Sequence, residues 1–258
     1  MFMKKIACYL FVFTFLTLQS CDLNEVNALT EAEVIEGLKA ALSIGTENAA
    51  GILSATDGYF LDAIVKILLP PEAKYIIDQA KDIDLISESV KKLESDLLLS
   101  INRSAEAAAK EVGPIFLNAI TNLTIQDGFA ILRDEKDEEL VFMAKNTYPA
   151  ATRYLEVNTY NPLKDLFQPK IKSALDIKIV EGFSANQTWN SLTSLWNNLP
   201  PYLTMFIDDY KKVDTELDTY LTEKALDGLF FKIAIEEEKI RTDPLARVTD
   251  ILKRVFGE

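Results

Sequence analysis

The sequence contains no histidine and only two cysteines, Cys8 and Cys21, among its 258 residues. Imidazole is the usual general base near neutral pH and the usual protein ligand of zinc and other transition metals. Its absence excludes the serine–histidine–acid triad, histidine acid–base catalysis and most transition-metal sites. We therefore expect no cofactor and no transition metal. The chemistry that remains belongs to carboxylates, lysines and oxygen-ligated calcium or magnesium.

Glycine and basic residues are also scarce. The chain has nine glycines, and its 27 basic residues stand against 40 acidic ones, which gives a net charge of −13. An acidic surface of this kind repels phosphate backbones and anionic lipid headgroups, and the sequence has no basic stripe with interleaved aromatic residues. We therefore expect no nucleic-acid partner.

The first residues follow the pattern of an export signal. Two lysines precede an uncharged and mostly apolar run from Ile6 to Leu18. The run is shorter than the roughly 20 residues that span a bilayer, and it is typical of a secretory signal. Leu18-Gln19-Ser20-Cys21 follows directly and resembles the lipobox of bacterial lipoproteins, in which an aliphatic residue and a small residue precede an obligatory cysteine. We predict that residues 1–20 are removed and that Cys21 is acylated.

Processing of this kind leaves the exported domain without a thiol. Cys8 is removed with the signal and Cys21 carries the lipid, so a disulfide, a cysteine nucleophile and a thiolate metal site are all excluded. Buried acyl chains contribute about 0.8 kcal/mol per methylene, so the lipid alone would hold the protein at a membrane. We predict a lipid-anchored envelope protein with a tether over 21–29 and a helical domain over 30–258. We prefer an outer-membrane position facing the periplasm, while Asp22 keeps the inner membrane open and the cell surface is a third location.

Signals for helix starts recur along the domain, and no alternating run is strong enough for a strand. We predict an all-α fold, a single compact domain of about ten helices without significant sheet, with a charged insertion over 133–146. The start signals are two capping boxes and three prolines that follow a turn residue. They are Thr30-x-x-Glu33, Thr124-x-x-Asp127, Gly113-Pro114, Asn161-Pro162 and Asp243-Pro244.

Polar residues interrupt the apolar faces of two predicted helices. In the helix predicted over 214–241, Glu237 falls inside the apolar stripe, and Arg241 follows at the favoured i,i+4 spacing. The helix around residue 102 is apolar on two sides, which predicts a central position. An unpaired buried glutamate costs several kcal/mol, so these polar groups require partners. The candidate residues are Asn102, Arg103, Glu106, Glu237 and Arg241.

Two interpretations of the five candidate residues stay open at this point. In the first they form a buried polar network that fixes helix register, and the domain is a non-enzymatic binding or scaffold module with an envelope protein as its partner. In the second they form the floor of a pocket, where an arginine binds an anion and a glutamate acts as acid or base. The second predicts a carboxylate-dependent hydrolase of an envelope glycan, although no catalytic residue is assigned. A helical pocket for a hydrophobic ligand is a further alternative.

Several short stretches together point to a known family. They are Asp57-Gly58-Tyr59, Ile67-Leu68-Leu69-Pro70, Asn102 to Glu106, Gln126-Asp127-Gly128, Ala150 to Tyr154, Asp227 to Arg247 and Val255-Phe256-Gly257. These stretches resemble the bacterial envelope family called domain of unknown function 4197, over nearly all of the mature chain. The resemblance implies an exported, helical and often lipidated protein, and it implies no activity and no catalytic residue. The acidic stretch after Arg133 departs from the family pattern, which passes more directly from Leu132 to Ala150.

Overall fold

Helices account for most of the described chain. The computed structural model describes residues 29–71, 74–75, 77–78, 87–133, 148–180, 183–205, 210–212 and 216–257, so the predicted signal, Cys21 and most of the charged insertion lie outside the described residues. The described α-helices are α1 Glu31–Ser54, α2 Ser87–Ala109, α3 Gly113–Thr121, α4 Ile125–Leu132, α5 Ala150–Leu175, α6 Ala185–Asn197, α7 Pro201–Thr204, α8 Leu217–Thr242 and α9 Asp250–Phe256. A 3-10 turn, Pro244–Ala246, precedes α9, and two short strands, β1 Lys178–Val180 and β2 Phe183–Ser184, pair antiparallel between α5 and α6.

The prediction of an all-α domain is confirmed, although the expected count of about ten helices is slightly high. Eight helices in the described ranges have seven or more residues. Asn161-Pro162 starts no helix, because α5 continues through both Pro162 and Pro169. Proline normally breaks a helix by removing an N–H donor. Leu163 and Phe167 are fully buried beside these prolines, so core packing outweighs the local preference.

The predicted helix starts at the two capping boxes and at Gly113-Pro114 are present. The Thr30 Oγ1 accepts the Glu33 N–H at 3.2 Å, and the Glu33 carboxylate accepts the Thr30 N–H at 2.9 Å. α4 begins with the same reciprocal pair at residues 124 and 127, and α3 carries its proline in the first turn. Asp243-Pro244 starts a 3-10 turn rather than an α-helix.

The core lies between the four long helices. α8 packs against α5 and α1, and α2 packs against α5. α2 is buried on both sides from residue 101 to 109 except at Arg103 and Ala107, as its two-sided apolar pattern predicts. Phe116 of α3 meets Phe230 of α8 edge to face, with ring centroids 6.5 Å apart. Among the described helices no single one is long and apolar enough to cross a membrane, and only α3 with α4 passes that test, as a pair bent by 104°.

α9 closes the domain against the first half of α1. Arg254 of α9 forms an ion pair with Glu33 of α1 at 2.5 Å. The Thr30 N–H and the Arg254 guanidinium both stabilise the carboxylate, which lowers the pKa of Glu33. Gly37 permits close packing at the same contact, because a Cβ there would lie 2.5 Å from Val255 Cγ2. The N-terminal end of α1 is therefore the end that α9 covers.

Two glycines of α1 give opposite predictions for substitution by alanine. A Cβ at Gly51 would meet nothing within 4 Å, so Gly51→Ala should raise the free energy of unfolding by about 0.5–1 kcal/mol through helix propensity alone. Gly37→Ala should lower it by about 1 kcal/mol, because the stiff Val255 side chain and α9 must move. Urea denaturation of both variants measures the difference. Equal stability of the two variants would contradict the packing of α9 on α1.

Candidate functional site

The five candidate residues form two separate clusters instead of one group. The α8 cluster consists of Glu237 and Arg241 and bonds to α4 and α5. The α2 cluster consists of Asn102, Arg103 and Glu106 and bonds to the connection that follows α1. Within the part of the chain that the structure describes, Glu106 and Glu237 share no hydrogen-bonding partner.

The Glu237 carboxylate accepts five hydrogen bonds, although its side chain is only 7% exposed. Its Oε1 accepts the Ala151 N–H at 3.0 Å and two donors of Arg241, Nε at 3.0 Å and Nη2 at 2.8 Å. Its Oε2 accepts the N–H and the hydroxyl of Thr152, each at 2.8 Å. Five donors use the lone-pair positions of a carboxylate, so Glu237 has none left for a substrate.

The position of these donors explains why a glutamate is buried there. Ala151 and Thr152 lie in the first turn of α5, where main-chain N–H groups have no helical partner. α5 begins after Pro149, which supplies no side-chain cap. Glu237 therefore caps α5 from α8, and its negative charge faces the positive end of the helix dipole.

Arg241 completes the same arrangement at a second helix end. Its Nη2 donates to the Ile131 carbonyl at 2.8 Å, in the last turn of α4. A cation at the C-terminal end of a helix complements the negative end of the dipole. Arg247 in turn donates to the Ile240 and Arg241 carbonyls, at 3.0 and 2.7 Å, where α8 ends. The predicted Glu237–Arg241 pair is present, and it joins α5, α8 and α4.

The α2 cluster binds main-chain groups of residues 57–68, which we call the held segment. Glu106 Oε1 accepts the N–H groups of Tyr59 and Phe60, at 3.2 and 3.3 Å. The side-chain amide of Asn102 bonds both main-chain groups of Ile67, since it accepts the N–H at 2.8 Å and donates to the carbonyl at 3.0 Å. The held segment is therefore fixed near both of its ends by polar side chains of α2.

Arg103 bridges Glu106 and the start of the held segment. Its Nη1 donates to Glu106 Oε2 at 2.6 Å, and its Nη2 donates to Asp57 Oδ1 at 2.5 Å. The side chain of Arg103 is 37% exposed, so it lies nearer the surface than its place in a central helix predicts. The bonds with Glu106 and Asp57 raise the pKa of the Arg103 guanidinium above its ordinary value. Burial raises the pKa of the Tyr59 hydroxyl, and the charge of Glu106 adds to the effect.

The turn that opens the held segment is tight. Asp57 has a φ of 70°, in the left-handed region, where aspartate is tolerated better than most residues. A Cβ at Gly58 would lie 2.3 Å from the Ile52 carbonyl oxygen, so only glycine fits there without movement of the main chain. Asp57 and Gly58 therefore allow the chain to leave α1 and pass directly over α2.

Two cavities border the clusters, and neither brings Glu106 and Glu237 together. The first lies beside Glu237 and Arg241, has mostly apolar walls, and offers about 30 Å³ to water-sized molecules. Small-molecule sites usually enclose 300–1,000 Å³, as an order of magnitude. The second is an open groove of about 690 Å³ between α2 and α5, and Arg103 lines it while Asn102 and Glu106 do not. The described ranges contain no group of three or more acidic or cysteine side chains placed to hold a metal ion.

Sequence analysis missed several buried polar residues. Arg153 and Glu156 are 5% and 2% exposed, and Arg153 donates to the Tyr148 carbonyl. Glu236 is 6% exposed and accepts from Asn48 at 3.0 Å and Lys239 at 2.5 Å. Periodicity gives no signal for those in α5, because every residue from 150 to 156 is buried and the helix has no solvent face there. For Glu236 the spacing to Lys239 was the available signal.

The fold and the two clusters describe an all-α protein in which buried carboxylates fix helix ends and a connecting segment. The chain belongs to the family described as "Protein of unknown function (DUF4197)", which matches residues 28–257. The resemblance found in the sequence is thereby confirmed. No curated protein and no solved structure matches the chain.

Replacement of Glu237 by glutamine should lower the free energy of unfolding by about 3 kcal/mol. An amide would direct its NH₂ at donors of Thr152 or Arg241 and would leave the partly buried Arg241 without its counter-ion. The neighbouring Glu238→Gln is the matched control, since Glu238 is exposed and its replacement should change stability by less than about 0.5 kcal/mol. Urea denaturation followed by circular dichroism measures both. Equal midpoints for the two variants would show that Glu237 does not cap α5.

Proposed function

We propose that this protein is a lipid-anchored protein of the bacterial cell envelope whose helical domain is a non-enzymatic binding module. One observation carries the proposal: both candidate acids bond to main-chain N–H groups and to an arginine of their own helix. Glu237 bonds Ala151, Thr152 and Arg241, while Glu106 bonds the held segment and Arg103. Acids whose oxygens already accept these hydrogen bonds stabilise the fold and are not positioned to exchange protons with a substrate.

The anchoring part of the proposal is supported by the first residues and by the start of the domain. The lysine pair, the short apolar run and Leu18-Gln19-Ser20-Cys21 follow each other in the order that lipoprotein processing requires. α1 begins at Glu31. A tether over 21–29 reaches at most about 30 Å when extended, so the domain would work close to the membrane.

The envelope location follows from the same signal. We place the protein at the outer membrane, facing the periplasm, with its lipid as the membrane contact. The acidic surface supports this division of roles, because a charge of −13 disfavours approach to anionic headgroups. Separation of inner and outer membranes by density, with protease treatment of whole cells, distinguishes this location from the inner membrane and the cell surface.

The positions of Glu106 and Glu237 do not favour a hydrolase that uses these two acids. Glycan hydrolysis by paired acids needs two carboxyls about 5–9.5 Å apart on an open groove. The open groove between α2 and α5 contains neither Glu106 nor Glu237; its acids are Glu111 and Asp165, and Glu111 is paired with Lys170 at 2.8 Å. Turnover of an envelope glycan by the purified protein, lost in a folded Glu106→Gln variant, would overturn the non-enzymatic proposal. The small cavity beside Glu237 likewise does not favour a pocket for a lipid-sized ligand.

The two cysteines provide a matched test of lipidation. Cys21→Ala should abolish incorporation of labelled fatty acid and leave residues 1–20 attached, because acylation and removal of the signal both require the cysteine of the lipobox. Cys8→Ala should change neither result, since residue 8 leaves with the signal. Metabolic labelling and the mass of the N-terminus provide the readouts. Persistent labelling of the Cys21→Ala variant, or no labelling of the wild-type chain, contradicts the proposal.

A further inference from the structure

The held segment is apolar on its outer side as well as on its inner side. Tyr59, Val65 and Ile67 point inward and are at most 4% exposed. Leu61, Ile64 and Leu68 are 71%, 69% and 58% exposed. Isolated exposed leucines are common, but three large aliphatic side chains exposed within eight residues give the outer side of the held segment an apolar character. We call Leu61, Ile64 and Leu68 the apolar patch.

The inner contacts make the held segment a fixed support for this patch. Tyr59 donates its hydroxyl to the Ala225 carbonyl of α8 at 2.8 Å. Asp62 accepts the Ile64 N–H at 2.9 Å and forms an ion pair with Lys232 of α8 at 2.5 Å. Together with the bonds from α2, these contacts order the segment before any partner arrives. An ordered apolar surface loses little conformational entropy on binding, and this favours tight association.

The charges near the patch differ from those of the whole protein. Both carboxylates of the segment form ion pairs: Asp62 with Lys232, and Asp57 with Arg103, whose charge is shared with Glu106. Lys66 is the exception: its Nζ lies 4.2 Å from the centroid of the Phe60 ring, and the described residues give it no carboxylate partner. In a chain with a net charge of −13, the held segment therefore includes a lysine that forms no ion pair within the described residues.

We propose that the apolar patch is the docking surface for a partner protein that offers apolar side chains together with a carboxylate opposite Lys66. The inference rests on the proposed function and names its binding surface. The aliphatic side chains would supply the buried area, and the ion pair with Lys66 would fix the orientation of the partner.

The position of the patch favours a protein over the membrane as its occupant. The tether joins α1 at its first residue, whereas the held segment follows its last residue, and the 24 residues of α1 span about 36 Å. The patch thus lies past the end of α1 that is remote from the lipid. The acidic domain also repels an anionic bilayer, and one lysine offers only about 1 kcal/mol of attraction to it.

Site-specific photo-crosslinking in cells that make the full chain tests the docking surface. A photoreactive phenylalanine at position 64 should yield one discrete adduct with one other protein. The same residue at position 248 should yield none, because Val248 is equally exposed, at 66%, but lies beside α9. With that partner purified, the double variant L61D/I64D should bind at least tenfold more weakly than the wild type, and V248D should bind normally. Circular dichroism verifies that both variants are folded.

Each other outcome overturns the proposal in a recognisable way. An adduct with a second copy of the chain assigns the patch to self-association. No adduct at position 64, or equal adducts at 64 and 248, removes the docking surface. Binding of the unlipidated Cys21→Ala protein to phosphatidylethanolamine–phosphatidylglycerol vesicles that is lost in L61D/I64D assigns the patch to the membrane. Fractionation of the same cells separates this result from a failure of lipid anchoring, since that failure releases the wild-type protein while the adduct persists.

Discussion

The hydrogen bonds of the Glu237 carboxylate and its partner Arg241 fix the arrangement of α4, α5 and α8. α5 is among the longest described helices, yet it contains Pro162 and Pro169 and begins after a proline that cannot cap it. Its first turn therefore needs an acceptor from elsewhere. Glu237 supplies that acceptor from α8, and Arg241 keeps the buried charge paired while reaching the last turn of α4. One ion pair thus sets how α4, α5 and α8 meet.

The side chains of the α2 cluster also bond main-chain groups, but these groups belong to the held segment and not to a helix end. Asn102 forms hydrogen bonds with both the N–H and the carbonyl of Ile67. Glu106 accepts two consecutive N–H groups near the start of the held segment. Buried main-chain groups cost free energy comparable to a lost hydrogen bond when they have no partner. In both clusters, polar residues that interrupt apolar faces therefore serve the main chain.

Local features were predictable from the sequence, and long-range ones were not. The capping boxes at Thr30 and Thr124 and the Glu237–Arg241 pair depend on residues three or four apart, so their spacing is visible in the chain. The bonds from Glu237 to α5 join residues 85 and 86 positions apart, and no periodicity records them. The same limit explains why the sequence does not separate the five candidates into two clusters. It also explains why Asn161-Pro162 predicts a helix start, although core packing carries α5 through Pro162.

The most direct test of the structural role of Glu237 is a double-mutant cycle with Thr152, whose hydroxyl donates to the carboxylate at 2.8 Å. The variants are Glu237→Gln, Thr152→Val and their combination, each measured by urea denaturation. Groups in one hydrogen-bond network usually show a coupling energy of about 0.5–3 kcal/mol. Capping of α5 by Glu237 predicts a coupling within that range. Additive effects, with a coupling below about 0.3 kcal/mol, would contradict the capping role.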